Sequence, residues 1–333
     1  MINETVNIGT LELKNRLVMP PMATGKSAGG IVTDDLLEYY CERAVKNEFG
    51  LIITEHSCIT ETGRASKDQL SISADDQIPG LKRLTDVIHK SGTAVIAQLN
   101  HAGSAAMPFT KGDNVSASAV NIPAKKLLRR PRALSIEEIH ETEELFVKAA
   151  LRALAAGYDG IEIHSAHGYL LDQFYSPLTN KREDEYGPQN MENRTRFLTE
   201  TVQKVRRATG ADIPIAVRLG GADYLPGGAT EEDAVEASRL IEAAGADLLD
   251  ISGGMCFFSR PGHSEAGYFG SMTEKIKKGA GIPVLLTGGV STVLEAEELL
   301  KGGKADLIGI GRAVFKNADW RQRQQSFSER SVE

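Results

Sequence analysis

The sequence predicts an α/β protein folded as a (β/α)8 TIM barrel, and three observations carry that expectation. Short apolar runs rich in Val, Ile and Leu alternate with longer amphipathic runs along nearly the whole chain. There are eight of each, in strict alternation. No Pro/Ser-rich linker or shift in composition divides the chain, so residues 1–333 read as a single domain. Strands covered by helices on both faces lose the polar alternation of a half-exposed sheet. Eight strand–helix units in register close on themselves, where fewer would leave an open sheet.

Strands are expected over 16–19, 50–54, 94–99, 160–164, 214–219, 248–252, 283–287 and 307–310. Helical patterns follow at 34–46, 79–90, 136–156, 191–209, 231–243, 272–278, 292–300 and near 319–325. Thr33 or Asp34, Ser135, Thr230 and Ser291 stand where a side-chain oxygen caps a helix N-terminus. Gly92, Gly157, Gly210, Gly245 and Gly302 or Gly303 stand just past helix ends, where a left-handed residue stops the helix. Three segments that leave strand C-termini are long: 100–135, 165–190 and 253–271. They carry His101, His167, Tyr169, Tyr175, Phe257, Phe258, His263 and Tyr268, with His164 just before the second. Barrel chemistry sits at that end, so the site is expected there.

Composition narrows the class. The net charge is -7 and 41% of residues are hydrophobic, with no dominant basic run, which argues against a nucleic-acid surface. Lys125, Lys126, Arg129, Arg130 and Arg132 form the densest basic cluster. A solvated loop is the favoured reading, against a dock for a phosphorylated cosubstrate. Cys41, Cys58 and Cys256 are odd in number and lack metal-ligand spacing, so neither a disulfide nor a zinc framework is expected. No leader pattern and no apolar run of about 18 residues is present, so a cytoplasmic enzyme without a membrane partner is expected. A homo-oligomer is compatible with the sequence.

The fourth strand ends in Ile161-Glu162-Ile163-His164-Ser165-Ala166-His167-Gly168-Tyr169. Neutral imidazoles donate hydrogen bonds to an oxygen that gains negative charge, and a phenol delivers a proton to a carbanion-like centre. Packing alone explains a lone His, but less readily three titratable side chains together. A metal site built from His164, His167 and His101 is disfavoured, because no carboxylate lies among them in the loop. Leu286-Thr287-Gly288-Gly289-Val290 and Ile308-Gly309-Ile310-Gly311-Arg312 end the seventh and eighth strands. Glycines there let backbone N–H groups approach a phosphate, and Arg312 adds a cationic fork. Gln98 and Arg218 interrupt apolar strands. A buried Arg needs a carboxylate, for which Glu55 or Asp250 is placed, or a polar ligand.

These stretches resemble the old yellow enzyme family of FMN-dependent ene-reductases. The resemblance also rests on Arg16-Leu17-Val18-Met19-Pro20-Pro21-Met22, on Ala97-Gln98-Leu99-Asn100-His101-Ala102-Gly103, and on the run from Asp172 through Arg182 to Asp184-Glu185-Tyr186-Gly187 and Glu192-Asn193-Arg194-Thr195-Arg196-Phe197. It covers nearly the whole chain. It implies that NADH or NADPH reduces FMN and that FMN then reduces the C=C bond of an α,β-unsaturated carbonyl compound or related activated alkene. By resemblance, His164 and His167 hold the carbonyl oxygen and Tyr169 protonates the α-carbon. Gln98 and Arg218 contact the polar edge of the flavin. Pro20, Pro21, Met22 and Ala23 line its other side, and Gly288, Gly289, Gly311 and Arg312 hold the phosphate. Ala23 stands where many relatives carry a Cys or Thr that hydrogen-bonds the flavin, and His56, where relatives usually carry Ala or Gly, adds a bulky polar group to the cofactor site near the ring or is turned away from it. The clustered cysteines and further nucleotide-binding domains of some larger relatives do not follow, so a stand-alone barrel reduced directly by nicotinamide is expected. Two rivals are a flavin-free phosphate-binding lyase or isomerase, which lacks a Lys inside any strand, and a non-enzymatic flavin carrier, which needs no oxyanion donors.

Overall fold

The computed structural model describes residues 1–107, 112–123 and 130–321. Eight parallel strands form the barrel: β1 (Leu17–Met19), β2 (Leu51–Ile53), β3 (Ala94–Asn100), β4 (Gly160–Ser165), β5 (Ile215–Ala222), β6 (Leu248–Gly253), β7 (Val284–Thr287) and β8 (Leu307–Gly309). Each pairs with its neighbours in chain order. β8 pairs with β1, and β2 with β3, which closes the ring. Helices return the chain at α1 (Asp34–Ala44), α2 (Ile78–His89), α3 (Ile136–Ala155), α4 (Met191–Thr209), α5 (Glu231–Ala243), α6 (Gly270–Lys277) and α7 (Val293–Lys301). The expected alternation is observed, with bounds shifted by a few residues. The helix expected near 319–325 falls partly outside the described residues. The short helix after β8 is Arg312–Lys316.

Local chemistry explains the helix starts. Thr33, Ser135 and Thr230 accept from backbone N–H groups three residues on, as expected. The cap of α7 is Thr292 and not Ser291. Thr292 forms a reciprocal box with Glu295, and Ser291 donates to the same carboxylate. Arg132 pairs with Glu138 at the start of α3. Lys125, Lys126 and Arg129 lie outside the described residues.

A two-stranded hairpin, Val6–Ile8 with Leu11–Leu13, was not expected from the sequence. Its runs are too short to show a period. Ile8 and Leu13 pack with Val18, Leu51, Ile53, Ile96 and Leu248 beneath the strands, so the hairpin closes the N-terminal end of the barrel. The ligand cavity therefore opens at the other end.

A repeated device pins alternate strands at that floor. Asp159, Asp247 and Asp306 each precede a strand, and each accepts from the first residues of the strand before it. Val95 N donates to Asp159 at 2.8 Å, Ile215 N to Asp247 at 2.8 Å and Val284 N to Asp306 at 3.0 Å. His89, Arg206 and Lys277 face the three carboxylates in turn. Asp247→Ala leaves the buried Ile215 N–H without a partner, which costs about 1–3 kcal/mol. The expected outcome is a lower urea midpoint with an unchanged denaturant slope.

Candidate active site

One cavity of about 470 Å³ lies across the C-terminal ends of the strands. It is lined by Pro21, Met22, Ala23, His56, Gln98, His164, His167, Tyr169, Arg218, Gly288, Gly289, Gly311 and Arg312 from the expected set. Of that set only Pro20 does not line it. Pro20 is buried at the end of β1, where a Cβ on Gly311 would lie 3.4 Å from its ring. Ser252, Phe258, Tyr268, Thr287, Val290, Gly309 and Phe315 complete the wall. Other loop residues have structural roles. His101 Nδ1 accepts from Gly103 N at 3.0 Å, Tyr175 donates to Gly221 O at 2.9 Å, and His263 pairs with Glu265 on the surface.

The strand ends of β7 and β8 form a cradle only glycine permits. Gly289 has φ +74°, and a Cβ there would meet Glu265 O at 2.5 Å and the Tyr268 ring at 2.8 Å. A Cβ on Gly288 would meet the same ring at 2.8 Å. Arg312 projects from the start of the short helix after β8. Its guanidinium makes no hydrogen bond or ion pair with the described residues, and its field reaches Tyr268. A bare-backbone cradle with an unpaired guanidinium suits a phosphate.

At the cavity floor lies a layer of buried polar side chains from four neighbouring strands. Gln98 stands beside Glu162, and Arg218 beside Asp250, in strand register. Gln98 Nε2 donates to Glu162 Oε1 at 2.8 Å, Arg218 Nε lies 3.4 Å from Asp250 Oδ2, and Thr287 Oγ1 donates to Asp250 Oδ1 at 3.2 Å. Glu55, the other carboxylate weighed for Arg218, accepts from Thr24 instead. Burial pushes the Glu162 carboxyl well above its ordinary range, and the charge of Asp250 adds to that. Gln98 Nε2 is engaged below and Arg218 pairs electrostatically with Asp250 without a hydrogen bond from Nε, so the amide oxygen of Gln98 and the guanidinium of Arg218 remain for a ligand in the cavity. An acceptor beside cationic donors matches the imide edge of a flavin ring, which offers N–H beside carbonyl oxygens. Cradle and floor together fit FMN.

The third feature is the loop after β4. Asp172 and Gln173, in the short helix Leu170–Tyr175, clasp it from behind. Gly168 N donates to Asp172 Oδ2 at 2.7 Å, and Gln173 Nε2 donates to Gly168 O at 2.6 Å. His167 is thereby held at φ +60°, a left-handed conformation unusual for a residue with a Cβ. The ring centroids of His167 and Tyr169 lie 5.0 and 5.1 Å from that of His164. His167 Nε2 lies 2.8 Å from Ser252 Oγ, a contact that sequence reasoning missed because Ser252 carries no motif of its own. Burial depresses the His164 and His167 imidazoles well below their ordinary value, and Arg218 pushes the same way. Both shifts favour the neutral ring. Burial raises the Tyr169 phenol to about 12, so it keeps its proton. His101 does not join them in a metal-ligand set. Among the described residues, ligand atoms close enough to share an ion occur at His140, Glu143 and Glu200, on α3 and α4, where Lys204 lies 3.1 Å from Glu143.

Residues 2–330 match the family model of the NADH:flavin oxidoreductase / NADH oxidase family. The chain is 40% identical over 309 residues to an NADPH dehydrogenase of Listeria monocytogenes, covering 92% of this chain and 88% of that one. It is 37% identical over 320 residues to an NADH oxidase of Thermoanaerobacter brockii, covering 94% of this chain but 49% of the relative, so it spans about half that protein's length. An old yellow enzyme homologue from Zymomonas mobilis superposes with a TM-score of 0.84 at 28% identity, over 98% of this chain and 92% of that one. No described helix is long and apolar enough to cross a membrane.

Gly289→Ala tests the cradle. Adding a Cβ at a left-handed position costs about 1–2 kcal/mol. The expected outcome is a lower melting temperature together with weaker FMN binding, read by quenching of flavin fluorescence. Undiminished FMN affinity removes the phosphate assignment.

Proposed function

The chain belongs to the NADH:flavin oxidoreductase / NADH oxidase family, of the old yellow enzyme type, and from that premise we propose that it reduces the C=C bond of α,β-unsaturated carbonyl compounds or related activated alkenes. FMN and a nicotinamide reductant are the cofactors of the family. The observation that carries the reading is the convergence of two imidazoles and a phenol in one cavity, whose described lining residues include no Asp or Glu. A flavin-free lyase has no use for the imide-matching pair of Gln98 and Arg218. A flavin carrier has no use for oxyanion donors.

Bound FMN supplies a two-electron carrier between NAD(P)H and the alkene. The residues of the chain do the rest. Gly288, Gly289, Gly311 and Arg312 hold the phosphate, and Gln98 and Arg218 orient the polar edge of the ring. His164 and His167 donate to the substrate carbonyl oxygen, which withdraws electrons from the β-carbon. Donors fixed in place before reaction stabilise the growing negative charge on that oxygen without reorganisation. Tyr169 delivers the proton to the α-carbon from its phenol oxygen. Phe258 and Phe315 add exposed apolar surface to the cavity wall.

Tyr169→Phe separates the halves of the reaction. Reduction by NAD(P)H needs no proton from the protein and is expected to stay nearly unchanged. Reoxidation by an enone is expected to slow by about 10²–10⁴-fold, the usual contribution of a positioned acid. Stopped-flow traces of each half decide the matter, and equal slowing of both makes Tyr169 structural.

The pH dependence follows from the same burial. Tyr169 donates in its neutral form, which persists below about 12. His164 and His167 act as neutral donors, and that form persists at every pH above their depressed values. Reoxidation by an enone is therefore expected to vary by less than about threefold between roughly pH 6 and 9, because no group of the set titrates there. A bell centred near neutrality, in a stopped-flow pH series, shows that a different group carries the proton.

A further inference from the structure

His56 is the imidazole of the cavity whose tautomer its neighbours dictate. The backbone N–H of Ala65 donates to Gln69 Oε1 at 2.6 Å. A backbone N–H can only donate, so the oxygen of that amide is fixed on the Ala65 side. Its Nε2 then faces His56, 3.2 Å from Nδ1 and 3.3 Å from the backbone oxygen. Asn100 Nδ2 lies 3.1 Å from the same Nδ1. A ring nitrogen met by amide donors must accept, so the proton sits on Nε2. Burial holds the ring neutral, with its pKa pushed down to about 4 and Arg218 pushing further in that direction. Nε2 makes no hydrogen bond with the described residues and is not among the sealed, unpartnered polar atoms, while the ring lines the cavity. His56 thus offers the cavity an N–H donor with nothing in the protein to satisfy it.

The donor stands beside His164, the middle imidazole of the three by ring distance. The His56 ring is 6.2 Å from that of His164, which is 5.0 Å from that of His167, and Tyr169 stacks on His56 at 5.5 Å. A carbonyl oxygen has two lone pairs, and His164 and His167 use both in the reading proposed above, on which this inference rests. A third N–H directed at the substrate and not at the flavin needs a second acceptor atom there. None of the described lining residues is a carboxylate, and the Arg218 guanidinium lies at the floor, so the described wall opposes no negative oxygen with a charge of its own. We propose that His56 is a specificity-determining residue that selects alkenes activated by a planar group with two oxygen atoms, a carboxylate or a nitro group, over those activated by one oxygen.

The test titrates the FMN-loaded protein with phenol, benzoate and nitrobenzene, following the visible spectrum of the bound flavin. His56→Ala is expected to weaken benzoate by about tenfold or more, the effect of one charge-assisted hydrogen bond, and phenol by less than about twofold. His56→Gln restores an N–H at that wall and is expected to recover part of the benzoate affinity. It also carries the comparison if His56→Ala loses its flavin. Nitrobenzene weakened alongside benzoate assigns the preference to the two-oxygen shape, and benzoate weakened alone assigns it to the carboxylate. Equal loss of phenol and benzoate, or loss of neither, overturns the role of His56 while leaving His164 and His167 in theirs. Phenol that leaves the wild-type flavin spectrum unperturbed overturns the oxyanion reading and this inference with it.

Discussion

A single guanidinium is buried inside the barrel between two carboxylates, and much of the site follows from how that charge is accommodated. Arg218 is 4% exposed, and Glu162 and Asp250 are fully buried. An unpaired ion there costs several kcal/mol, so Arg218 is tolerable only beside Asp250. A second carboxylate charge within reach of the first would be unpaired in its turn. Burial and the neighbouring Asp250 charge push the Glu162 carboxyl well above its ordinary range, which favours its neutral form beside the Arg218–Asp250 pair. Asp250 pairs with Arg218 and Glu162 accepts from the amide of Gln98, so both polar side chains are supported from below, and both line the cavity above.

Fixed orientation also explains why the loop after β4 is strained. A neutral imidazole is a useful donor only if its N–H meets the ligand oxygen, and a flexible loop would lose that to entropy. Here the loop is bound by side chains that never reach the cavity. Asp172 and Gln173 hold Gly168, while Asp223 accepts from Ser176 Oγ and from Met255 and Ala229 N, stitching the neighbouring loops. The left-handed His167 costs on the order of 1–3 kcal/mol, which these buried bonds offset. The ordered run from Asp172 to Arg182 therefore reads as scaffolding. Arg182 itself donates to the backbone oxygens of Ala117 and Leu134 and ties the β3 loop to the β4 loop.

The parts of this design that were legible in the sequence are those that repeat or cluster. Eight buried strands with intervening amphipathic helices announce a barrel, and Thr33, Ser135 and Thr230 announce helix starts because capping is a local interaction. His164, His167 and Tyr169 share one short stretch, so they could be read together. The supporting partners were not legible, because they come from distant strands and no spacing encodes them. Glu162 sat in plain view within the motif, yet its bond to Gln98 spans 64 positions. Ser252 lies 85 positions from His167. The choice between Glu55 and Asp250 for Arg218 turned on strand register, which only the closed barrel supplies. Consecutive residues leaving a strand face different ways, so Pro21 lines the cavity while the buried Pro20 does not.

The cavity separates two kinds of positive character, and the separation has a chemical consequence. Full charge is kept at the cradle, on Arg312, and at the floor, on Arg218. The imidazole wall presents N–H donors that burial prevents from charging. An imidazolium there would bind any anion tightly before reaction and would stand against the field of Arg218. A neutral N–H binds a neutral carbonyl weakly and its hydrogen bond strengthens as charge moves onto the oxygen, so more of its effect falls on the transition state than on the ground state. The same burial that depresses the imidazoles raises the phenol of Tyr169 and keeps a proton where one is needed. One physical cause, desolvation of side chains packed at the strand ends, thus favours the required protonation states of donor and acid together.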